Sequence, residues 1–440
     1  MENARVVFNF IFHWSGVWAV MVYGTVGARA AYLALRDWAH ARERSACLRG
    51  QFAISTRRKA REAETMETRL ETPLEMTPEQ RREFNRWHNQ RVYPLKVKHA
   101  ENVVYEWAEL CEQNGKTPVV SVGGLDSITL LLFVRKLLGP DIVGASVSAL
   151  EDKSIQDIHR KLGVVRIAPK MNMAKVLNTF GFPVISKAVA KKIEHLQIPP
   201  EQADKRTMYY NHALMTGETG PWGHFRQSES MKLPDKYLEL FGGLYNDQRQ
   251  DLQCKVAPFK VSAQCCHWMK ELPAWEWQEE HSAWPFLGLM QSEGGQRRWG
   301  LQQHGCNYIG KSTARFCPFN HFSRQDLLHL ARDLNAPVPA IYGEIIEDAD
   351  GRLRTTRAQR TGCACCGFGV NLDKRPHHFD LLRERNEKEW EFWMYKVCTD
   401  PETGEKYGWG RVLDWIGVEW EAPYDGNLEG QLDLLGGWDE

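Results

Sequence analysis

The segment Pro118-Val-Val-Ser-Val-Gly123-Gly-Leu-Asp-Ser127 links a short apolar run to a longer apolar repeat. The run at 118–122 predicts a buried parallel strand, and the repeat at 128–138 predicts the helix that follows it. Gly123 and Gly124 let the backbone pass close to a bulky anion, because neither residue carries a Cβ. The start of a helix adds unpaired N–H groups and the positive end of its dipole. The segment therefore predicts a phosphate-binding loop.

Beyond this loop, apolar runs that predict strands alternate with amphipathic repeats that predict helices. Strands are predicted at 142–148, 164–167 and 183–185, and helices at 153–162, at 173–180 and through Lys191 and Lys192. Such alternation predicts an α/β fold with a doubly wound parallel sheet, in which the ligand binds at the carboxyl ends of the strands. The glycine loop (residues 123–127) lies at such an end.

Two further helices are predicted before the loop. Thr77-Pro78-Glu79-Gln80 has the sequence of a capping box and predicts a helix that begins there and ends before Pro94. A second amphipathic repeat at 97–111 predicts a helix that leads into the first strand. We expect both helices to lie against the sheet.

The composition is that of a globular protein with balanced charges. Lys and Arg number 56 and Asp and Glu also number 56, so no net charge directs the protein to nucleic acid. The 11 cysteines are too few and too clustered for a secreted disulfide scaffold of this length. They predict a reduced, cytoplasmic chain that holds a metal or a cluster.

An apolar segment near the N-terminus adds an alternative to that location. Residues 6–28 include no Asp, Glu, Lys or Arg and are long enough to span a bilayer, and arginines follow from Arg29 onward. A membrane anchor is one interpretation; an amphipathic or core-packed segment and a non-native extension of the reading frame are the others. The predicted division is an apolar segment at 1–40, a charged linker at 41–76, a nucleotide-binding α/β domain at 77–215, its continuation with the cysteine cluster at 216–397, and a C-terminal tail at 398–440.

Two cysteine segments, far apart in the sequence, form the second motif. The first is Gln264-Cys265-Cys266-His-Trp-Met-Lys270, and the second is Gly362-Cys363-Ala-Cys-Cys366. A Cys pair and a Cys-x-x-Cys supply four thiolates, the number that a 4Fe-4S cluster or a structural zinc requires. Adjacent cysteines strain a tetrahedral zinc site, so the cluster is the first prediction and zinc is the alternative.

Both motifs resemble those of known proteins. The loop is similar to the pyrophosphate loop Ser-Gly-Gly-x-Asp-Ser (PP-loop) of the adenine nucleotide alpha-hydrolase superfamily, with Val122 at its first Ser and Leu125 where Lys is frequent. The pattern Cys-Cys-x-x-x-Lys-x-x-Pro, followed by Gly-Cys-x-x-Cys, resembles the cluster signature of the iron–sulfur branch of the phosphoadenosine phosphosulfate (PAPS) reductase-like family. Ile341-Tyr-Gly-Glu and Arg360-Thr-Gly-Cys are also typical of that family. The resemblance extends over residues 95–395.

This resemblance implies an enzyme that binds ATP, PAPS or APS, with or without Mg²⁺, and carries a 4Fe-4S cluster. It implies a catalytic role for Asp126, Ser127, Arg297 and Arg298. It implies nucleotide contacts from Ser121, Gly123, Gly124, Asp126, Ser127, Ser146 with its neighbour Ala145, and Ser292. The cluster ligands that it implies are Cys265, Cys266, Cys363 and Cys366.

One departure from the family leaves three functions open. Sulfonucleotide reductases attack sulfur with a thiolate in a Glu-Cys-Gly tail, whereas the last cysteine here is Cys398, in Val-Cys-Thr-Asp. The candidates are sulfonucleotide reduction or sulfur transfer with a partner protein as electron or sulfur donor, ATP-dependent thiolation of a nucleic acid similar to DNA phosphorothioation, and an accessory protein that binds nucleotide without turnover.

The other candidate groups carry weaker predictions. Cys306 and Cys317 are each interpreted as a nucleophile, a replacement cluster ligand or a buried apolar side chain. Cys365 is predicted to be a bystander next to the cluster. We expect His377 and His378 to form a basic surface turn, and the carboxylates from Asp380 onward to form a solvated helix face.

Overall fold

The computed structural model describes residues 77–147, 151–310, 314–363 and 365–423. The predicted apolar segment at 1–40 and the linker at 41–76 lie outside these residues, as do residues 424–440 of the tail. In this described part of the chain, no helix combines the length and the apolar character needed to cross a membrane.

A six-stranded sheet forms the centre of the fold. The first seven strands along the chain are Thr117–Ser121 (β1), Val143–Ser146 (β2), Val165–Arg166 (β3), Val184–Ile185 (β4), Ala283–Phe286 (β5), Asn307–Ile309 (β6) and Ala314–Phe316 (β7). The sheet has the order β3-β2-β1-β5-β7-β6, in which only β6 is antiparallel to its neighbour. The predicted α/β class with a mainly parallel sheet is confirmed. Because the chain extends to opposite sides from β1 and β5, the end of β1 lies at the switch point where such sheets bind ligands.

Helices and short strands make up the rest of the described fold, and many of them pack in a second apolar core that includes Val184, Leu214, Phe379 and Trp409. The α-helices are Pro78–Trp87, Tyr93–Gln113, Leu125–Leu138, Lys153–Lys161, Met173–Phe180, Lys187–Leu196, Lys205–Thr216, Asp235–Phe241, Gln264–Cys266, Leu272–Glu280, Gly295–His304, Arg324–Asp333, His378–Arg385, Glu387–Glu391 and Trp409–Ile416. The short outer strands are Ile345–Glu347 (β8), Leu353–Thr355 (β9), Gly367–Phe368 (β10), Cys398–Thr399 (β11) and Lys406–Tyr407 (β12).

Two predicted elements differ from the observed ones. The first helix does not end before Pro94, because a π-helical turn, His88–Val92, joins it to Tyr93–Gln113. The change of hydrogen-bond register at that turn accommodates a proline that has no N–H to donate. The predicted strand at 183–185 does form as β4, but it pairs in parallel with β10 outside the main sheet.

The place next to β1 is taken instead by β5, which sequence patterns did not predict. Its sequence, Ala-Trp-Pro-Phe, has neither alternation nor a run of β-branched residues. Tertiary packing explains its position, because Trp107 stacks on Trp284 of β5 with ring centroids 4.8 Å apart. Trp107 is fully buried, as are Val120, Ile128 and Phe286 in the same apolar core.

A buried ionic cluster fixes the helix Arg324–Asp333 against the preceding helices. Asp326 is inaccessible to solvent and lies 2.7 Å from His88 Nε2 and 3.0 Å from Lys96 Nζ. Burial opposes ionisation of Asp326, but Lys96 and His88 outweigh it and hold the pKa of that carboxyl well below its usual range. The backbone at the start of this helix, which carries Arg324, is thereby held in a fixed position.

We expect Ser323→Ala to lower the free energy of unfolding by about 1–2 kcal/mol, because Ser323 caps this helix. Its Oγ accepts a hydrogen bond from Asp326 N (3.3 Å) and donates one to Asp326 Oδ2 (2.8 Å). Urea denaturation measures the change. Thr77→Ala, at the exposed capping box of Pro78–Trp87, is the matched control and should cost less. An equal or smaller loss for Ser323→Ala would contradict the role assigned to this cap.

Candidate functional site

The glycine loop follows β1 and closes on itself through Ser127. The helix Leu125–Leu138 begins directly after Gly124, three residues before the predicted start, so Asp126 and Ser127 lie in its first turn. Ser127 Oγ accepts a hydrogen bond from Gly123 N (2.6 Å) and donates one to the Gly124 carbonyl (3.0 Å). In this structure Ser127 therefore stabilises the conformation of the loop through hydrogen bonds to its backbone.

Gly124 lies against a tyrosine from a distant part of the chain. A Cβ at this position would be 2.2 Å from Tyr342 Oη and 3.1 Å from Thr361 Oγ1. Tyr342 Oη accepts a hydrogen bond from Leu125 N (3.2 Å) and shares a second one with Thr361 Oγ1 (2.6 Å). Thr361 is two residues from Cys363, so the second cysteine segment begins within about 7 Å of these contacts along the chain.

An arginine that the sequence analysis did not single out neutralises Asp126. Arg324 Nη1 forms an ion pair with Asp126 Oδ1, and Arg324 Nη2 donates to the Gln359 carbonyl (2.8 Å). Both ion-paired side chains are partly exposed. The capping box around Ser323 could have indicated where the helix begins, but nothing local in the sequence places Arg324 next to the loop.

The ends of the neighbouring strands lie at the same edge. Ser121 ends β1 and pairs with Ala145 of β2, and Val122 N donates to the Ala145 carbonyl (2.8 Å). Ser146, at the end of β2, is buried. The structure thus brings the predicted Ser121, Ala145 and Ser146 to the edge that carries the loop, while their nucleotide contacts stay a prediction.

A buried histidine forms a hydrogen bond with the backbone of the glycine loop. His159 Nε2 lies 2.8 Å from the Gly123 carbonyl. Burial lowers the pKa of His159, although this hydrogen bond and Glu151 oppose the change. A neutral imidazole that donates its Nε2–H to Gly123 is consistent with both observations. The sequence analysis missed His159, which lies on the helix Lys153–Lys161.

The connection after β5 passes the loop before it reaches the predicted arginines. A Cβ on Gly288 would lie 3.4 Å from backbone atoms of Asp126 and Ser127. Farther along, Ser292 Oγ donates to the Phe322 carbonyl (2.9 Å), and Arg297 forms an ion pair with Glu293. The Arg298 side chain is exposed. The roles of Ser292, Arg297 and Arg298 in substrate binding stay predictions.

The four predicted cluster ligands lie in one neighbourhood. Cys265 and Cys266 occupy the single turn Gln264–Cys266, and Cys366 N donates to the Cys363 carbonyl (3.0 Å) in the second segment. A hydrogen bond between Cys265 and Cys266 raises the pKa of Cys265 and lowers that of Cys266, and the electrostatic field of Cys363 and Cys366 reaches Cys265. Two segments far apart in sequence thus present four thiols to one another.

Lys270 connects the two segments. Its Nζ lies 2.6 Å from Glu151 Oε1, and it also forms a hydrogen bond with Cys363. Burial acts to lower the pKa of Lys270, but Cys363 and Glu151 outweigh it and raise the pKa. Lys187 is close enough to Cys265 and Cys266 for both thiols to influence its pKa. Two ammonium groups therefore stand next to the four thiols.

The four thiols are a donor set that could hold either a 4Fe-4S cluster or a zinc ion. Burial raises the pKa of Cys363 and raises that of Cys366 to about 12, so an electropositive group is needed to ionise these thiols at neutral pH. Tetrahedral zinc draws its ligand atoms to about 3.8 Å from one another. Within the described residues, these four thiols do not form a set of three or more ligand atoms that all lie within 4.8 Å of one another. Four thiolates are also the number that a 4Fe-4S cluster takes.

The remaining thiols have different surroundings. Cys365 and Cys317 are buried, and burial raises the pKa of Cys317 to about 12, which suits the interpretation as an apolar side chain. Burial would also raise the pKa of Cys306, but hydrogen bonds from His321 and His99 outweigh it and lower the pKa to about 6. Cys306 is therefore not a simple apolar cysteine.

Two predictions about the segment after the cysteines are wrong in part: they fail at His377 and Asp380, whereas Glu384, Glu387 and Glu391 are exposed as predicted. His377 does not lie on the surface: it is 3% exposed, and its Nε2 lies 2.9 Å from the Glu419 carbonyl. Asp380 does not belong to a solvated face, because it accepts hydrogen bonds from Arg375 Nη2 (2.6 Å) and from His377 N (2.9 Å). The chain after the helix Trp409–Ile416 packs over both residues, and local sequence patterns do not show that contact.

Comparisons with known proteins show a distant similarity to a solved structure and no match to a protein family or a curated protein. A crystal structure of phosphoadenylyl-sulfate (PAPS) reductase from Candida auris, in a phosphate complex, is similar with a TM-score of 0.27 and 10% sequence identity. The alignment covers 54% of this chain and 80% of that one.

Proposed function

We propose that the chain is a PAPS reductase-like enzyme that binds an adenine nucleotide at residues 123–127 and carries a 4Fe-4S cluster on Cys265, Cys266, Cys363 and Cys366. Its reaction class is sulfonucleotide reduction or sulfur transfer. The observation that carries this proposal is the hydrogen bond from Leu125 N to Tyr342 Oη, which also bonds to Thr361 Oγ1, since together they join the second cysteine segment to the start of the loop helix.

The nucleotide part of the proposal rests on the geometry and charge of the loop. A helix start without side chains at two successive positions offers N–H groups and a positive dipole end to a phosphate group. Arg324 adds a cation next to the first turn, and its planar guanidinium suits phosphate oxygens. In this proposal Arg324 turns to the phosphates when nucleotide binds, and Asp126 is released to orient Mg²⁺.

The cluster part rests on the four thiols and the two lysines next to them. A bound cluster would supply one-electron chemistry through thiolate-ligated iron. The chain itself contributes Lys270, which holds Cys363 and Glu151 together and offsets the negative charge of thiolates. Arg297 and Arg298 complete the proposal as groups that stabilise charge on the transferring moiety.

ATP-dependent thiolation of a nucleic acid is the second candidate, and one observation favours it. Cys398 is 1% exposed and lies in β11, which pairs with β12, and the sequence contains no cysteine after it. A buried strand residue cannot act as the mobile tail thiol of a sulfonucleotide reductase. In thiolation, an acceptor oxygen attacks the α-phosphorus of ATP and displaces pyrophosphate. The terminal sulfur of a donor-protein persulfide then displaces AMP, and a second thiol of the donor cleaves the remaining S–S bond by forming a disulfide. The accessory-protein alternative predicts nucleotide binding with neither product.

The test is a product assay on the anaerobic full-length chain with ATP, or with PAPS and a dithiol as the two-electron reductant. Sulfite from PAPS supports reduction, pyrophosphate from ATP in the presence of an acceptor supports thiolation, and binding without product supports the accessory role. Arg324→Ala should weaken nucleotide binding about tenfold, because a charged hydrogen bond to phosphate is lost. Arg332→Ala is the matched control on the same helix, since Arg332 is half-exposed and pairs with Glu347. Equal affinity of the two variants would exclude Arg324 from the site.

A further inference from the structure

A second set of metal-ligating side chains lies in the core, among residues that the proposed function does not use. His99, Cys306 and His321 are all buried, and their ligand atoms all lie within 4.8 Å of one another. Within the described residues, these three side chains form the group of His, Cys, Asp or Glu residues whose ligand atoms all lie this close together. From these positions we propose that His99, Cys306 and His321 bind one zinc ion, separate from the four-cysteine site.

Three different elements deliver the ligands. His99 belongs to the helix Tyr93–Gln113 and is buried, as are Ala100 and Val103. Cys306 directly precedes β6, and His321 follows β7 after a short turn. Cys317 N donates to the Cys306 carbonyl (2.8 Å), which fixes the two strands next to the site. A metal here would fasten the helix to the antiparallel edge of the sheet.

The distance between an imidazole nitrogen and the thiol sulfur matches the distance expected between two ligand atoms of a tetrahedral zinc ion. His99 Nε2 lies 3.4 Å from Cys306 Sγ. Zinc bonds of about 2.05 Å to nitrogen and about 2.3 Å to sulfur place such atoms about 3.5 Å apart at the tetrahedral angle. The rings of His99 and His321 have centroids 5.1 Å apart and are tilted by 50°, so they do not stack face to face. Two imidazoles and one thiolate are a ligand set that zinc favours.

The buried side chain of Asn320 offers a fourth ligand for this ion. Its side chain is 1% exposed, and Oδ1 has no hydrogen-bond partner within the described residues. Its Nδ2 lies 3.3 Å from Cys306 Sγ. Because the oxygen and nitrogen of an amide are assigned from the hydrogen-bond network, the reversed rotamer places the oxygen at that position. A metal would then satisfy a buried oxygen that otherwise has no partner.

The test begins with native full-length protein that is produced with iron and zinc supplied. Metal analysis should find about one zinc per chain, and zinc X-ray absorption should show one sulfur and three nitrogen or oxygen ligands. Four sulfur ligands would place the zinc on Cys265, Cys266, Cys363 and Cys366 and overturn the proposal. Protein that binds no zinc would also overturn it. This measurement needs no variant.

Substitutions then assign the ligands. Cys306→Ala should lower the zinc content at least tenfold and leave the iron content unchanged. Cys317→Ser is the matched control, because Cys317 is also buried and its N–H donates to the Cys306 carbonyl directly after β7, and it should retain zinc. An unchanged zinc content in folded Cys306→Ala protein would exclude this site, and the failure would leave the proposed nucleotide and cluster functions untouched.

Discussion

Replacing Cys363 or Cys366 by Ser is expected to reduce the iron content from about four per chain to nearly none and to remove the broad visible absorption of a cluster. Both thiols are half-buried and belong to the set that includes Cys265 and Cys266. A cubane that loses one thiolate is exposed to exchange and loss of iron. Iron and sulfide analysis of anaerobically purified protein measures the effect.

Cys365→Ser is the sharpest control for this prediction. Cys365 lies between the two proposed ligands in sequence, and its side chain is buried in an apolar cluster. A variant at this position should keep its iron. If Cys365→Ser lost iron while Cys366→Ser kept it, the ligand assignment would be wrong. If both variants and the wild type contained one zinc held by four sulfurs and no iron, the zinc alternative would replace the cluster.

Gly123→Ala is expected to weaken binding of ATP or PAPS about a hundredfold while the protein stays folded. A Cβ at Gly123 would have one neighbour in the unliganded protein, Ser127 Oγ at 3.7 Å, which is an ordinary contact. In the proposed complex the same Cβ would occupy space that the phosphates need. Isothermal titration calorimetry measures the affinity, and urea denaturation measures the stability.

Gly124→Ala provides the contrast within the same loop. Its Cβ would be 2.2 Å from Tyr342 Oη, so we expect the free energy of unfolding to fall by about 1–3 kcal/mol even without nucleotide. The two glycines should thus separate binding from folding. Wild-type affinity in Gly123→Ala would mean that phosphates do not approach this loop.

The sequence predicted the fold best where local patterns and burial agree. The helix at 173–180 has its predicted bounds, and β1 and the loop helix lie within a few residues of theirs. These elements have clear periodicity, and Asn172 caps the first of them through a hydrogen bond to Lys175 N (2.8 Å). Ala283–Phe286 lacks such a pattern, because a tryptophan and a proline occupy the centre of the strand.

The candidate site was predictable only in part, because most of its contacts join distant residues. The glycine loop and the four cysteines follow from motifs. Arg324, His159 and the set around Cys306 do not, since their partners are remote in sequence and only tertiary packing brings them together. Tyr342 and Thr361 were visible in family-like motifs, yet their hydrogen bond to each other and their contact with the loop required the structure.

Our main proposal is that the glycine loop and the four cysteines form one site. Its most direct test is the Mössbauer spectrum of iron-isotope-labelled full-length protein, recorded with and without ATP or PAPS, because nucleotide bound next to a cluster changes the environment of its irons. We expect the wild-type spectrum to be that of a 4Fe-4S cluster and to shift on addition of nucleotide. The spectrum of Gly123→Ala should not shift. A protein without iron, or a cluster spectrum that saturating nucleotide leaves unchanged, would contradict it.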